Sequence, residues 1–169
     1  QLILVDENDQ QIGTEEKLEA HKQGLLHRAF SIYIFNDKNE LMLQQRALDK
    51  YHCGGLWTNT TCSHPRIGED NLAAAHRRLQ EEMGFDTELN KVTELIYKVD
   101  FENGLTEHEY LHVYIGRHNK DPKLTPEEAN DFQWINLIEL ERRIDINPKL
   151  YSYWMQQTLP HIHKALETL

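Results

Sequence analysis

Short apolar runs separated by polar, turn-forming residues recur along most of the chain. Runs of leucine, β-branched and aromatic residues bounded by Asn, Asp, Gly or Lys are typical of β-strands. The segments with this pattern are 2–6, 29–35, 41–46, 94–101, 108–116 and 132–137. The letters NDKNE between the second and third segments predict a hairpin, and FENGLT predicts a turn between the fourth and the fifth.

One segment, residues 71–84, instead has the periodicity of an amphipathic helix. Its apolar stripe consists of Leu72, Ala75, Leu79 and Met83. Asp70 stands where an N-terminal cap belongs, and Gly84 stands where a C-terminal cap belongs. The segment is therefore the clearest helix that the sequence predicts.

Two further helices are predicted over residues 137–144 and 150–169. Pro160 lies within the second and is expected to kink or break it, because proline lacks a backbone N–H and clashes with the preceding turn. Strands therefore surround one strong helix, with more helix after them. The pattern predicts an α/β protein of the α+β kind, in which helices pack on a mixed sheet.

The composition is that of a globular protein, with 39% hydrophobic and 27% charged residues among 169. A chain of this length is expected to form a single domain spanning residues 1–169. Its apolar runs are only a few residues long, so no membrane span and no signal peptide are expected. The net charge of −10 argues against general nucleic-acid binding. It does not argue against a small anionic ligand, which responds to a local cluster of Lys and Arg.

The chain has two cysteines, Cys53 and Cys62, which are too few for a disulfide framework or a four-cysteine zinc site. A reducing, cytoplasmic location is therefore expected. Cys62 lies in the polar stretch WTNTTCSHP, residues 57–65, whereas a cysteine retained for packing normally lies in an apolar run. Either Cys62 is an incidental surface thiol, or this loop exists to present it.

Two glutamates share one face of a predicted strand. In EHEYLHVYI successive side chains alternate, so Glu107 and Glu109 lie about 7 Å apart, in line with Leu111 and Val113. Two carboxylates on a partly buried face are unfavourable unless a cation or a proton compensates them. The alternative is that this end of the strand emerges into solvent.

The chain contains ten histidines, most of which are expected to be solvated or structural, such as His161 and His163. Three others lie beside turn or loop signals: His21, His27 and His64. Together with the two glutamates they form a nitrogen and oxygen ligand set that suits Mn, Zn or Fe, and suits Mg less well. Their scattered spacing makes this indication weak by itself.

Residues 69–85 resemble the end of the Nudix box, which reads Gly, five residues, Glu, seven residues and then R-E-U-x-E-E-x-G-U, with U apolar. The matching positions are Glu69, Arg77, Leu79, Glu81, Glu82, Gly84 and Phe85. Two positions depart from it: Ser63 replaces the glycine, and Arg78 replaces the first glutamate of R-E-U. Arg78 thus places a positive charge where the Nudix box has a negative one, one turn before Glu82. We therefore expect one metal ion at Glu82, with Arg78 contacting phosphate oxygens.

Four stretches, LEAHKQGLLHRAFS, QQRALDK, GLWTNTTCSHP and NGLTEHEYLHVY, together resemble type I isopentenyl diphosphate isomerases. The resemblance extends from about Lys17 to Trp154, which is most of the chain. It implies a Nudix-like fold and the interconversion of isopentenyl diphosphate and dimethylallyl diphosphate. That reaction adds one proton and removes another through a carbocation-like state, so it requires an acid, a base and a site without water.

The resemblance also implies catalytic residues. Cys62 and Glu109 are the expected acid/base groups, and the resemblance does not decide which delivers the first proton. Tyr97 is expected to hydrogen-bond Glu109, and Trp154 is expected to face the cation. The residues implied to bind the diphosphate are Lys17, Arg46, Lys50 and Arg78.

The implied cofactors are two metal ions. One divalent metal, Mn, Zn or Mg, is expected at a set of five ligands: His21, His27, His64, Glu107 and Glu109. A second ion, Mg²⁺, is expected to bridge the substrate diphosphate to Glu82 and to the carbonyl oxygen of Cys62. The expected partner is a small allylic or homoallylic diphosphate, with no nucleic acid and no membrane, and a homodimer is compatible with the resemblance.

Two other functions remain open at this level. A Nudix diphosphohydrolase would be expected to have a glutamate at position 78, and a non-catalytic Nudix-like binding module would not need Cys62, Glu109 and Tyr97 together. Single residues have simpler interpretations as well. Arg46 and Lys50 could form a solvated hairpin end, and Trp154 could be a core residue. The sequence suggests no role for Cys53.

Overall fold

The computed structural model describes residues 1–168 and contains a mixed sheet with helices on both faces. The strands are β1 Leu2–Val5, β2 Gln11–Glu15, β3 His27–Phe35, β4 Glu40–Arg46, β5 Trp57–Thr58, β6 Thr61–Ser63, β7 Leu89–Asp100, β8 Thr106–Arg117 and β9 Ala129–Asn136. The helices are α1 Lys17–Gln23, α2 Asn71–Met83, α3 Leu137–Ile146 and α4 Tyr153–Leu166, with a 3₁₀ turn at Pro148–Leu150. The predicted fold class is confirmed.

Strand β3 is the centre of the sheet. It pairs in parallel with β8 along its whole length and antiparallel with β6, and β8 continues into an antiparallel pair with β7. This register places His27 opposite Glu109 and Ser31 opposite Cys62. Three segments that are distant in sequence therefore bring their polar residues to one region of the sheet.

The two faces of the sheet pack against different helices. One face carries Leu111 and Val113 and is covered by apolar residues of α3 and α4, including Met155 and Leu159. The other face is covered by α2 through its buried residues, among them Leu79. Because side chains alternate along a strand, Glu107 and Glu109 on β8 lie on the same face as Leu111.

The predicted hairpin between segments 29–35 and 41–46 is correct only at its tip. Strands β3 and β4 pair through Phe35 and Leu41, and β4 otherwise pairs with β9 and β5. The strands diverge because β3 is buried on both faces and pairs on both edges, which local sequence does not reveal. Strand β2 and helix α1 were not predicted, because β2 is largely polar and exposed and α1 has only seven residues.

Helix α2 was predicted correctly, including both caps. The Asp70 side chain accepts a hydrogen bond from the backbone of Ala73, and Gly84 adopts the left-handed conformation with φ 76°. Leu72 was wrongly assigned to the buried stripe: it is 38% exposed, whereas Ala74 is buried. Leu72 lies in the first turn, and the period of a helix does not show which of its turns other elements cover.

Of the kink or break predicted at Pro160, the break does not occur. Helix α4 continues through this residue to Leu166, and Pro160 lies on its exposed side. Proline removes one backbone hydrogen bond, but burial of Leu159 and Ile162 holds the flanking turns on the sheet. The predicted helix extended to position 169, which lies outside the described residues. Among residues 1–168, no helix is long and apolar enough to cross a membrane.

Candidate active site

A cavity of about 410 Å³ opens where strands β6 and β8 meet helices α1, α2 and α4. The predicted site residues that line it are Lys17, His21, Arg46, Lys50, Cys62, His64, Arg78, Glu82, Glu107, Glu109 and Trp154. His27 and Tyr97 are buried and contact Glu109. The fold thus brings all the predicted site residues to one place, although their roles stay predictions.

Three imidazole rings, those of His21, His27 and His64, lie together at this cavity. The ring centroids of His21 and His27 are 5.1 Å apart, and those of His27 and His64 are also 5.1 Å apart. His21 comes from α1, which ends at Gly24 in the left-handed conformation with φ 64°. This sharp end returns the chain to β3, so that His21 and His27 meet despite lying on different elements.

The backbone fixes the protonation of two of these rings. Nδ1 of His21 lies 2.7 Å from the carbonyl oxygen of Lys17, and Nδ1 of His27 lies 2.9 Å from that of Leu25. A carbonyl oxygen only accepts, so each Nδ1 carries a proton, and in the neutral imidazole Nε2 then presents a lone pair. Both Nε2 atoms are buried without a hydrogen-bond partner among the described residues. This is the tautomer that a metal ligand requires.

The two glutamates are buried rather than solvated. Glu107 and Glu109 are each 5% exposed, which excludes the alternative that this strand end emerges into solvent. Oε1 of Glu109 lies 3.2 Å from Nε2 of His64, and its Oε2 accepts a hydrogen bond of 2.8 Å from the Tyr97 hydroxyl. Oε2 of Glu107 lies 3.3 Å from Nε2 of His52, but the orientation makes no hydrogen bond.

The electrostatics of this group favour a cation. Burial lowers the pKa of His21 to about 4 and that of His64 to about 3, so both imidazoles are neutral near pH 7. Burial and the neighbouring charge of Glu109 raise the pKa of Glu107. Burial would also raise the pKa of Glu109, but the neighbouring imidazoles of His27 and His64 outweigh it and lower that pKa well below the usual value.

The geometry also fits a cation. One ligand atom from each of His27, His64 and Glu109 lies within 4.8 Å of the other two. Nε2 of His21 and Oε2 of Glu107 are buried polar atoms of the same site that lack a hydrogen-bond partner among the described residues. The residues therefore fit a divalent metal ion.

Cys62 lies at the edge of the same cavity and is partly buried. Its Sγ accepts a hydrogen bond of 3.0 Å from Nε1 of Trp154 and donates one of 3.0 Å to Oδ1 of Asn59. Burial raises the pKa of the thiol to about 11, although the positive charge of Arg46 acts in the opposite direction. Cys62 is therefore a protonated thiol that faces a cavity, and not an incidental surface cysteine.

Trp154 is both a core residue and a cavity residue. It is 4% exposed and belongs to the apolar cluster between the sheet and α4, yet it also lines the cavity. The Arg46 guanidinium lies 5.4 Å from the centre of its ring, and Nη2 of Arg46 donates to the carbonyl oxygen of His52. Arg46 is thus held against the cavity wall and is not a solvated hairpin end.

Two of the predicted phosphate-binding cations have acidic partners. Nη2 of Arg78 lies 2.6 Å from Oε1 of Glu82 and 3.0 Å from Oε1 of Glu128, while Nζ of Lys50 lies 2.6 Å from Oε2 of Glu128. Nε of Arg78 and Nε of Arg46 are buried without a hydrogen-bond partner in residues 1–168. These N–H groups are unused donors beside the cavity, and an anion would satisfy them.

Sequence reasoning missed three cavity or near-cavity residues. Glu128 lies in the polar stretch TPEEAN, which by itself predicts a solvated acid. The structure instead places Lys50 and Arg78 beside its carboxylate. His52 is 7% exposed, with its ring 4.5 Å from that of Phe101. Like His21, it lies beside turn residues, and that signal could have identified it. Asn59 follows Thr58 in the WTNT stretch and carried no signal of its own.

Glu69 and Arg77, which match the Nudix pattern, have structural contacts. Nε and Nη2 of Arg77 donate to the two carboxylate oxygens of Glu69 at 2.7 and 2.8 Å. These hydrogen bonds lower the pKa of Glu69 to about 2. The pair ties the loop before α2 to the helix and thereby orients the face that carries Arg78 and Glu82.

Comparisons with known proteins agree with this architecture. The NUDIX domain family matches residues 25–157. A crystal structure of a protein from Deinococcus radiodurans superimposes with a TM-score of 0.72 at 16% identity, covering 86% of this chain and 89% of that one. At this identity the likeness concerns the fold alone.

Closer relatives share the sequence itself. The chain is 49% identical to isopentenyl-diphosphate Delta-isomerase 2 of Aromatoleum aromaticum, over 96% of this chain and 86% of that protein. It is also 49% identical to isopentenyl-diphosphate Delta-isomerase 2 of Photorhabdus laumondii, over 94% of this chain and 89% of that protein. The chain therefore belongs to the isopentenyl-diphosphate Delta-isomerase family, built on the NUDIX fold.

Proposed function

We propose that this protein interconverts isopentenyl diphosphate and dimethylallyl diphosphate. The observation that carries the proposal is one cavity containing two different proton-carrying groups, the Cys62 thiol and the Glu109 carboxylate with its Tyr97 partner. The reaction adds a proton to one carbon of the alkene and removes a proton from another. It therefore needs both an acid and a base, and it involves no net oxidation. Family membership supports the same assignment.

The chain supplies the environment that such a reaction needs. Protonating an unactivated alkene creates positive charge on carbon, and water would trap it. Trp154 presents an aromatic ring beside Cys62, and a cation over such a ring is stabilised by about 0.5–2 kcal/mol. The buried carboxylate of Glu109 provides negative charge in the same cavity. Tyr97 holds this carboxylate in one orientation through its hydroxyl hydrogen bond.

The diphosphate is proposed to bind at the basic side of the cavity. Four cationic side chains line that side: Lys17, Arg46, Lys50 and Arg78. The unused Nε–H groups of Arg46 and Arg78 are suited to phosphate oxygens. The substrate would thus be held by its diphosphate, while its hydrocarbon end lies beside Cys62 and Trp154.

Two metal ions are proposed as cofactors. A divalent metal, Mn, Zn or Mg, would be held by His21, His27, His64, Glu107 and Glu109. A Mg²⁺ ion that accompanies the diphosphate would be held by Glu82 and the carbonyl oxygen of Cys62. When bound, these cations would supply charge compensation for the buried carboxylates and for the diphosphate. The side chains named above carry out binding, orientation and proton transfer.

Proton NMR of isopentenyl diphosphate incubated with the protein in D₂O tests the proposal. We expect conversion to dimethylallyl diphosphate with deuterium in the product, because the proton that adds comes from a group that exchanges with solvent. A sample without protein is the control. Unchanged substrate in the presence of both Mg²⁺ and Mn²⁺ would show that the proposed reaction is wrong.

The protein is expected not to hydrolyse nucleoside diphosphate derivatives at a significant rate. A Nudix hydrolase needs carboxylates along this helix to activate water with metal ions, whereas Arg78 can neither bind a cation nor accept a proton. Phosphate release from ADP-ribose and nucleoside triphosphates is the measurement. Robust release that is lost in Glu82→Gln would instead support a hydrolase.

A further inference from the structure

Asn59 occupies a fully buried position in the loop between β5 and β6, and its side chain makes four hydrogen bonds. Its Nδ2 donates to the carbonyl oxygens of Ile32, at 3.0 Å, and Thr61, at 3.1 Å. Its Oδ1 accepts from Thr58 Oγ1 at 2.9 Å and from Cys62 Sγ at 3.0 Å. The amide therefore uses both of its N–H donors, and its oxygen accepts two hydrogen bonds.

These contacts leave the amide only one orientation. The carbonyl oxygens of Ile32 and Thr61 accept hydrogen bonds and cannot donate, so the NH₂ group must face them. The amide oxygen must then face Cys62. Because this oxygen is also only an acceptor, the Cys62 thiol has to supply the proton of their hydrogen bond.

The sulfur of Cys62 is thus held from two directions. Asn59 accepts its proton, while Nε1 of Trp154 donates to the sulfur itself at 3.0 Å. Contacts with the hydroxyl groups of Ser31 and Thr58 are longer, at 3.8 Å each. Of the short contacts, Asn59 makes the one that specifies where the thiol proton lies.

The same network reaches the helix that carries Trp154. Thr58 Oγ1 lies 2.7 Å from Oγ of Ser152, which precedes α4, and the backbone N–H of Ser152 donates to the carbonyl oxygen of Trp57. Asn59 therefore connects β3 to Cys62 and, through Thr58, to the start of α4. A change in its side chain would alter the position of Cys62 relative to Trp154.

We infer that Asn59 is a positioning residue for the Cys62 thiol, which it holds in one rotamer and one proton orientation at the cavity edge. The inference rests on the proposed function, in which Cys62 carries a proton. Proton transfer depends steeply on the position of the transferring group, since a displacement of about 1 Å costs about 100-fold in rate. Asn59 does not line the cavity, so it acts through Cys62 and not by contact with the substrate.

Thr60 provides a matched control in the same loop. It is also fully buried, and its Oγ1 donates to the carbonyl oxygen of Met42 and accepts from the backbone N–H of Ile34. Its side chain makes no hydrogen bond to Cys62 among the described residues. Thr60→Val therefore removes two buried hydrogen bonds from the loop without removing a contact of the thiol.

The experiment compares Asn59→Ser with Thr60→Val, both in a Cys53→Ser background so that Cys62 is the only thiol. The S–H stretching band in the infrared spectrum is expected to move to higher wavenumber in Asn59→Ser, because the hydrogen bond is lost, and to stay in place in Thr60→Val. In parallel, kcat is expected to fall about 100-fold in Asn59→Ser, with KM within about threefold of the parent. Thr60→Val is expected to retain the parental kcat while losing thermal stability.

An unchanged S–H band in folded Asn59→Ser, or an equal loss of kcat in both variants, would overturn the inference and leave Asn59 a structural residue. If Asn59→Ser does not fold, Asn59→Asp keeps the side-chain size. A carboxyl group has at most one proton and cannot donate to both Ile32 and Thr61, so the same loss of kcat and a displaced band are expected. The S–H band does not depend on turnover. An inactive parent protein would therefore contradict the proposed function, while the band still tests the contact.

Discussion

Replacing Cys62 with alanine is expected to lower kcat for isomerisation by a factor of about 10⁴, the upper range for loss of a general acid or base. In the proposed reaction the thiol, which contacts Trp154, carries one of the two protons, and alanine has no exchangeable proton. The substitution removes one atom from a partly buried position, so the fold is expected to persist. Product formation by proton NMR, with circular dichroism of the folded state, measures both effects.

Cys53→Ala is the matched control, because it makes the same change at the other cysteine, which does not line the cavity. This variant is expected to keep nearly the parental rate. KM in Cys62→Ala should change little, since the four cations at the diphosphate side are intact. A near-normal kcat in Cys62→Ala would make the thiol a bystander and would leave Glu109 and Tyr97 as the only proton carriers.

Removing the divalent metal from the proposed five-ligand site is expected to abolish turnover and to lower the melting temperature by about 5–10 °C. Without a cation, Nε2 of His21, Nε2 of His27 and Oε2 of Glu107 remain buried without hydrogen bonds. The site also joins α1 to β3 and β8, so its loss removes a link between separate elements. Chelation verified by elemental analysis, followed by thermal melting and activity assays, measures the effect.

His27→Ala and His161→Ala provide a matched pair for the same prediction. His27 is fully buried beside Glu109, whereas His161 lies on the exposed side of α4. Only His27→Ala is expected to lower the metal content and to lose the thermal shift on metal addition. Full activity after exhaustive chelation, or an equal metal content in both variants, would show that these residues do not form a metal site.

Local sequence was sufficient where a residue's neighbours in the chain decide its structure. The caps of α2 are set by Asp70 and Gly84 within one turn of the helix, and they were predicted correctly. The alternation along β8 placed Glu107 and Glu109 on the same face as Leu111 and Val113. Motif resemblance then assigned the candidate residues, since their identities and order along the chain are properties of the sequence alone.

Local sequence failed where the energy comes from distant partners. The hairpin of β3 and β4 opens because β8 and β9 offer longer pairings. Pro160 stays inside α4 because burial of the flanking turns offsets the lost hydrogen bond. Leu72 is exposed although it falls on the apolar stripe of α2, because the periodicity of a helix does not record which of its turns are covered.

The sequence by itself therefore determined the fold class, the cap residues of α2 and the set of chemical groups available to the site. Only the tertiary structure decided that Glu107 and Glu109 are buried, that Lys50 and Arg78 have Glu128 as a partner, and that Asn59 faces the Cys62 thiol. The physical reason is that burial, hydrogen bonding and ion pairing depend on distances between atoms. In this protein those distances are set by the pairing of β3 with β6 and β8, whose residues lie far apart in the chain.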